Sequence, residues 1–332
     1  MRNSRIAGVG HYVPENVVTN KDLEKLMDTS DEWIRERTGI LERRYFQEGK
    51  DTTANMGAAA ARKALEMADL QPGDIDMIVF ATLSPDYVFP GSGVLLQREL
   101  GLKEIPALDV RNQCSGFIYA LSVGDQFIKT GMYNNVLVVG SEIHSSGLDF
   151  STRGRGVSVI FGDGAGAVVL VPSESNDRGI LSTHLHADGE FAEELAVLDP
   201  GSNKKERLTH EMIDSGSIYP HMNGNMVFKH AVTRFPEVIE EALNKNGYKP
   251  EDIDLLVPHQ ANLRITSYIQ QKMGLPAEKV MSNIQKYGNT TAASVPIALS
   301  EAYQEGRIKE GDLVCLAAFG SGFTWGSALI RW

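Results

Sequence analysis

The sequence predicts an α/β protein built from two duplicated halves, each a mainly parallel sheet covered by helices. Three observations carry this. The segment "KALEMADLQPGDIDMIVF" (63–80) matches "EALNKNGYKPEDIDLLVP" (241–258), pairing Pro72 with Pro250, Asp74 with Asp252, Ile75 with Ile253 and Asp76 with Asp254. Each copy is followed by a helix-like run that ends at Gly-Leu, "VLLQRELGL" or "YIQQKMGL". Each half then reaches Phe-Gly-x-Gly, in "FGDGAGAVVLV" (161–171) and "FGSGFTWGSALI" (319–330). Three matches in the same order mark an internal repeat, which places the halves at 1–173 and 174–332.

Taken along the chain, each matched segment reads as a helix, a proline turn and a Val/Ile-rich strand, "IDMIVF" or "IDLLVP". Alternation of such strands with helices is the pattern of parallel sheets. After the Gly-Leu helices come short apolar runs, "PALDV" and "VMSNI", expected as strands, and then another helix. In the first half that junction is "DVRNQCSGFIYAL" (109–121), with Cys114 where the strand turns into the helix. The repeat puts the counterpart of Cys114 near Asn289, in "KYGNTTAASVPIALSEAY", so both residues are expected close to a common pseudo-twofold axis.

The totals bound the rest. The chain has 332 residues, 42% hydrophobic and 23% charged, a composition ordinary for soluble globular proteins. A net charge of -11 argues against general nucleic-acid binding. Two cysteines cannot make a disulfide framework, which suggests a reducing, cytoplasmic setting. No signal-peptide core and no apolar run of membrane-spanning length is visible, so neither secretion nor a membrane partner is expected.

Cys114 at a helix start would meet free backbone N–H groups and the positive end of the helix dipole, both of which favour a nucleophilic thiolate. Its plain alternative is a small buried hydrophobe. Cys315, in the continuous apolar run "DLVCLAAF", reads as structural. His259 follows "DLLVP" at a strand C-terminus, where open α/β sheets place ligands; alone it could equally be a satisfied polar residue. Asn289 alone would be a turn or a helix cap. Brought together by the repeat, the three suggest a nucleophile with two hydrogen-bonding partners. "FGSGFTWG" could offer backbone N–H donors to an oxyanion or simply make a tight turn. "GDGAGA" (162–167) runs into "VVLV" rather than a helix, and "GVG" (8–10) has Val13 where a third glycine would fall, so neither is a dinucleotide fingerprint. "HLH" (184–186) lacks an evident third ligand, and no metal is expected there. In "TSDEWIRERTGILERR" (29–44), Trp33 could stack a base while Arg37 meets phosphate; otherwise it is a solvated amphipathic segment.

At this point the ordered set "TSDEWIRERTGI", "QCSGFIYAL", "IFGDGAGA", "MNGNMVFKHAV", "VPHQANLRI", "YGNTTAASVP" and "FGSGFTWGSALIRW" resembles the beta-ketoacyl-[acyl carrier protein] synthase III family of thiolase-like enzymes, over essentially the whole chain. The resemblance implies a thiolase-like five-layered α-β-α-β-α sandwich, a homodimer, and a Cys-His-Asn triad at Cys114, His259 and Asn289. It implies acylation of Cys114 by an acyl-CoA, with the oxyanion held by the backbone N–H groups of Cys114 and Ser321. Decarboxylating condensation with malonyl-[acyl carrier protein] follows, its thioester carbonyl held by His259 and Asn289, and no metal or redox cofactor is needed. Trp33 and Arg155 would sandwich the CoA adenine, with Thr29, Arg37 and Gly156 beside it. Asn225 and Asn262 would meet the pantetheine arm, lined by Met222, Gly224, Phe228 and Ala261. Phe89 of a partner subunit would close the acyl pocket, and Lys229 and Arg264 would dock the acidic carrier protein.

Two departures stand out. Ser321 occupies a loop that is often Gly-Gly-Gly in the family, and the segment 193–221 is long and directly precedes Met222. The second leaves the primer open between short, branched and medium-chain acyl groups, and with it a role in salvage, secondary-metabolite or long-chain ketone formation. A non-decarboxylating thiolase would want a second catalytic cysteine beside the glycine loop, where Phe319 stands. A hydrolase or a non-catalytic acyl-binding subunit are the remaining rivals, separable by release of free acid and by acyl labelling of Cys114.

Overall fold

A computed structural model of the chain describes residues 2–175 and 177–332. The first sheet draws its strands from the N-terminal part: β1 (Ser4–Tyr12), β4 (Met77–Ala81), β5 (Ala107–Val110), β6 (Val136–Glu142) and β7 (Gly164–Pro172), in the order β1-β7-β6-β4-β5. The second takes β8 (Gly179–Ala187), β11 (Leu255–Pro258), β12 (Leu313–Gly320) and β13 (Thr324–Arg331), in the order β11-β12-β13-β8. Two small ribbons pair β2 (Asn16–Thr19) with β3 (Glu42–Tyr45), and β9 (Leu195–Ala196) with β10 (His221–Met222).

The helices Gly116–Lys129 and Ser294–Gln304 lie between the sheets: Phe117, Leu121, Val295 and Leu299 share one buried core with Val79 and Val138 of the first sheet and Val257 and Leu316 of the second. Outside the first sheet lies the alanine-rich helix Thr53–Met67, whose Ala60, Ala61 and Ala64 pack against Ile78 and Val169. It lies so close to β1 that a Cβ at Gly8 would stand 2.0 Å from the Ala64 carbonyl oxygen. Outside the second sheet, Phe235, Ile239 and Ile269 of Gly224–Asn246 and Leu263–Met273 cover Leu256, Cys315 and Ala317. The result is a five-layered α-β-α-β-α sandwich.

The matched aspartates do the same work twice. Asp74 and Asp252 accept the backbone N–H of Gln71 (2.7 Å) and Lys249 (2.8 Å), closing proline-led turns at Pro72–Asp74 and Pro250–Asp252. Asp76 accepts from Asn134 and Asn135 just ahead of β6, and Asp254 accepts from Leu313 at the start of β12, so each pins the entry to the neighbouring strand.

Two expectations need correction. The sheets are mixed, not mainly parallel: β4 is parallel to β5 and β6, but β7 runs antiparallel to both its neighbours, and only β11–β12 is parallel in the second sheet. The short turn at 321–323 returns the chain tightly, so β13 doubles back on β12 instead of crossing over. "VMSNI" is not a strand. Val280 makes a single bridge to Leu256, and the Gln260 side chain then takes over, donating to Met281 O (3.2 Å) and accepting from Asn283 N (3.0 Å).

Candidate active site

Two short 3-10 turns, Gln113–Ser115 and Thr291–Ala293, pack against each other at the centre of the molecule, each leading into one of the central helices. Both begin on a residue with left-handed backbone, Gln113 at φ 44 and Thr291 at φ 53. Such non-glycine positions cost on the order of 1–3 kcal/mol and persist where surroundings over-determine them. Their correspondence sets the register: the pseudo-twofold counterpart of Cys114 is Ala292, and Asn289 answers to Arg111. The sequence comparison placed Asn289 near the right turn but three residues early.

Cys114 is 5% exposed. A Cβ at Gly320 would stand 2.6 Å from its Cβ, so glycine there is what lets the β12–β13 loop approach the thiol. Burial pushes the thiol up to about 12, with the buried Glu142 carboxyl adding to it. Hydrogen bonds from the backbone N–H groups of Cys114 and Ser321 and from the Asn289 side chain pull the other way without overcoming burial. Burial thus works against the thiolate that a helix start was expected to favour.

His259 takes its backbone position from a bond to Ala317 O (2.8 Å), continuing β11 beside β12. Its Nδ1 lies 2.5 Å from Ser294 Oγ, which also accepts from Gln260 N. The Ser294 hydroxyl can donate to Nδ1, an arrangement that would place the proton of the neutral ring on Nε2. Burial lowers the imidazole to about 3, so it is uncharged at neutral pH. Its Nε2 is buried with no hydrogen-bond partner among the described residues. Asn289 is locked by its backbone, donating to Ile160 O and accepting from Gly162 N, and its Oδ1 accepts from Thr291 N (2.8 Å). That leaves its Nδ2 for the site. Ser294 was missed in the sequence; only its place just after the strained turn could have pointed to it.

Two cavities meet here. One, of about 470 Å³, brings Cys114, His259 and Asn289 together with Trp33, Arg37, Gly156, Met222, Gly224, Asn225, Phe228, Ala261, Asn262 and Arg264. At its outer end the Arg37 and Arg155 guanidiniums lie 4.9 and 5.2 Å from the Trp33 ring centre. Thr29 lies outside its lining, with Oγ1 buried and unpartnered. Arg264 sits over Phe228, and Lys229 is exposed beside it. The second cavity, of about 360 Å³, lies beyond Cys114 and is walled by Leu83, Arg111, Gln113, His144, Phe161, Leu195, Ala196, Val197, Pro220, Thr291 and Ser321. Cys114, Phe161 and Leu195 line both. His144, stacked on Phe161 at 4.0 Å and lowered to about 4 by burial, and Leu195 had not been singled out in the sequence. Phe89, 82% exposed, lines neither cavity of its own chain. His184 and His186 both bond Glu241, at 3.1 and 2.6 Å, and Cys315 is buried in β12. Among the described residues no helix is long and apolar enough to cross a membrane.

A duplicated five-layered sandwich with a buried cysteine between two cavities defines the class, an acyltransferase of thiolase-like fold. Comparison narrows it. Profiles described as 3-oxoacyl-[acyl-carrier-protein] synthase III and its C-terminal region match residues 108–189 and 243–332. The beta-ketoacyl-[acyl-carrier-protein] synthase III of Alkalilimnicola ehrlichii is 49% identical over 334 residues, covering all of both chains. The crystal structure of the Aquifex aeolicus 3-oxoacyl-[acyl-carrier-protein] synthase III superposes with a TM-score of 0.91 at 46% identity, covering 99% of this chain and all of that one. The priming ketosynthase of the R1128 polyketide pathway superposes with a TM-score of 0.90 at 34% identity, over 99% of this chain and 96% of that one. The chain belongs to the beta-ketoacyl-[acyl carrier protein] synthase III family.

Proposed function

We propose that the protein condenses an acyl-CoA primer with malonyl-[acyl carrier protein], releasing carbon dioxide and CoA, to give the 3-oxoacyl-[acyl carrier protein] that starts a fatty-acid chain. The observation that carries this is the convergence on one cavity of Cys114, Asn289 and the His259 Nε2, which has no partner among the described residues, with Trp33 along the same cavity and two guanidiniums near its ring.

The adenine would enter between Trp33 and Arg155, with Thr29, Arg37 and Gly156 around it, and the pantetheine would pass Asn225, Asn262, Met222, Gly224, Phe228 and Ala261. Cys114 Sγ attacks the thioester carbonyl; the N–H groups of Cys114 and Ser321 hold the oxyanion, and the thiol proton leaves with CoA as its thiol. The acyl group then occupies the second cavity. In the second half-reaction, the Nε2–H of His259 and the Nδ2–H of Asn289 donate to the malonyl thioester oxygen as carbon dioxide departs, stabilising the enolate. Its carbon attacks the acyl-enzyme, and Cys114 is expelled. A neutral imidazole suits this role as a fixed donor. The chemistry calls for no metal or redox cofactor.

Lys229 and Arg264 are the proposed docking points for the acidic carrier protein, at the mouth that Arg264 lines. The exposed run Tyr87, Val88 and Phe89, at 55, 76 and 82%, with Leu108 exposed on the edge strand β5, supports a homodimer in which Phe89 closes the partner's acyl cavity. The division into halves is placed at 173/174, between the two sheets, and two unpaired cysteines suit a cytoplasmic enzyme.

The test is intact-protein mass after incubation with acetyl- through dodecanoyl-CoA, without malonyl-[acyl carrier protein]. A mass gain with short chains, lost in Cys114→Ala, supports an initiating role. A gain peaking at medium chains supports salvage or specialised condensation instead. No gain with any acyl-CoA refutes the proposal.

A further inference from the structure

Ser321 carries a side chain where glycine would serve the backbone role alone. Its hydroxyl donates to the carbonyl oxygen of Leu195, in the long 193–221 segment. Leu195 is the residue of that segment that lines both cavities, and Ala196, Val197 and Pro220 continue the wall of the inner one. The segment's local pairing is slight: β9 and β10 are two residues each, matched at Leu195–Met222 and Ala196–His221. On the other side, Ser321 is tied toward the nucleophile. Its carbonyl accepts from Thr324 Oγ1 (3.0 Å), which lies 2.7 Å from the buried Ser115 Oγ, next to Cys114. One hydrogen-bonded line thus runs from the nucleophile's turn through the glycine loop to the inserted segment.

Resting on the acyl-CoA reading above, we propose that Ser321 is a positioning residue for primer selection: its hydroxyl holds the 195–197 wall against the acyl cavity and so limits the length of the acyl group that Cys114 accepts. The physical reason is that two short strands cannot fix a wall to the accuracy that size selection needs, since one methylene in an apolar pocket is worth about 10–200-fold only where the wall does not give. A bond from the oxyanion loop supplies that hold, and couples it to the loop whose N–H meets the substrate.

The measurement is the ratio of single-turnover acylation rates for octanoyl-CoA and acetyl-CoA, read by intact mass. A ratio cancels any general loss from disturbing the oxyanion loop. Ser321→Ala is expected to raise the octanoyl-to-acetyl ratio about tenfold, and Ser321→Thr, which keeps the hydroxyl, to hold it near the wild-type value. Leu195→Ala, which trims the wall and leaves its carbonyl, is expected to raise the ratio in the same direction. A ratio in Ser321→Ala that is unchanged or lowered, with both rates falling together, overturns the proposal and leaves the side chain structural. Failure of the wild type to acylate with any acyl-CoA would instead overturn the functional reading itself, and the two failures are distinct.

Discussion

The two halves share a scaffold and divide the chemistry. Where the first half has Cys114, the second has Ala292; where the second has His259, the aspartate register puts Ala81 in the first; where the second has Asn289, the first has Arg111. Even the contact behind the imidazole has a twin. Ser294, which holds His259, corresponds to Gly116, and a Cβ at Gly116 would sit 3.5 Å from the Cβ of Ala81. The repeat thus brings two strained turns and two strand ends to one centre, with the proposed nucleophile on one and the proposed donors on the other.

The sharpest way to break this comparison is to move the nucleophile. Cys114→Ala should abolish acylation, and adding Ala292→Cys should not restore it. Ala292 is 1% exposed, lines neither cavity, and has its Cβ 3.5 Å from where a Cβ at Gly116 would stand, so a thiol there faces the packed turn and not the substrate space; labelling of Ala292→Cys by acyl-CoA would refute the division. His259→Ala and Asn289→Ala should still take up the acyl group but lose about 10²–10³-fold in carbon dioxide release, the cost of one preorganised donor. Equal loss in acylation would mean that His259 and Asn289 also serve the first step. Gly320→Ala should slow acylation by about 10²-fold through displacement of Cys114, whereas Gly116→Ala, whose nearest contacts are ordinary at 3.5 Å, should be far milder.

Smaller effects sharpen the picture. His144 and His259 are held neutral by burial, with values lowered to about 4 and about 3. The unfolded chain takes up protons below about pH 6.5 while these folded groups do not, so stability present above that pH is lost as pH falls toward 4 and then 3. His144→Phe, keeping the stack on Phe161, should recover about 1–3 kcal/mol of that acid loss in denaturation at pH 4 relative to pH 7. Lys229→Glu with Arg264→Glu should raise KM for the carrier substrate several-fold, more at low salt, and spare acyl-CoA acylation; parallel damage to both steps would remove the docking patch.

The sequence made much of this legible because repeats, proline turns and aspartate ties are local signals. Asp74, Asp76, Asp252 and Asp254 could be matched by eye, and they hold the two sheets in the same way. The register of Asn289 slipped because it depends on left-handed backbone at Gln113 and Thr291, residues that carry no glycine signal. The upward push of burial on the Cys114 thiol was hidden because desolvation is set by what packs around a residue, not by its neighbours in sequence. Leu195 and Ser294 were missed for the same reason: each acts through a partner more than thirty residues away, Leu195 with Ser321 and Ser294 with His259.

Asn289 belongs to the second half of the chain, yet its backbone is clasped by Ile160 and Gly162 of the first. Gly320, from the second half, is what leaves room for Cys114 in the first. A chain cut between the two sheets would therefore split the buried core they share and leave neither piece with both Cys114 and the residues that shape its site. The centre is thus a product of the two halves folding onto each other, and any loosening of that shared core reaches the site from both sides at once.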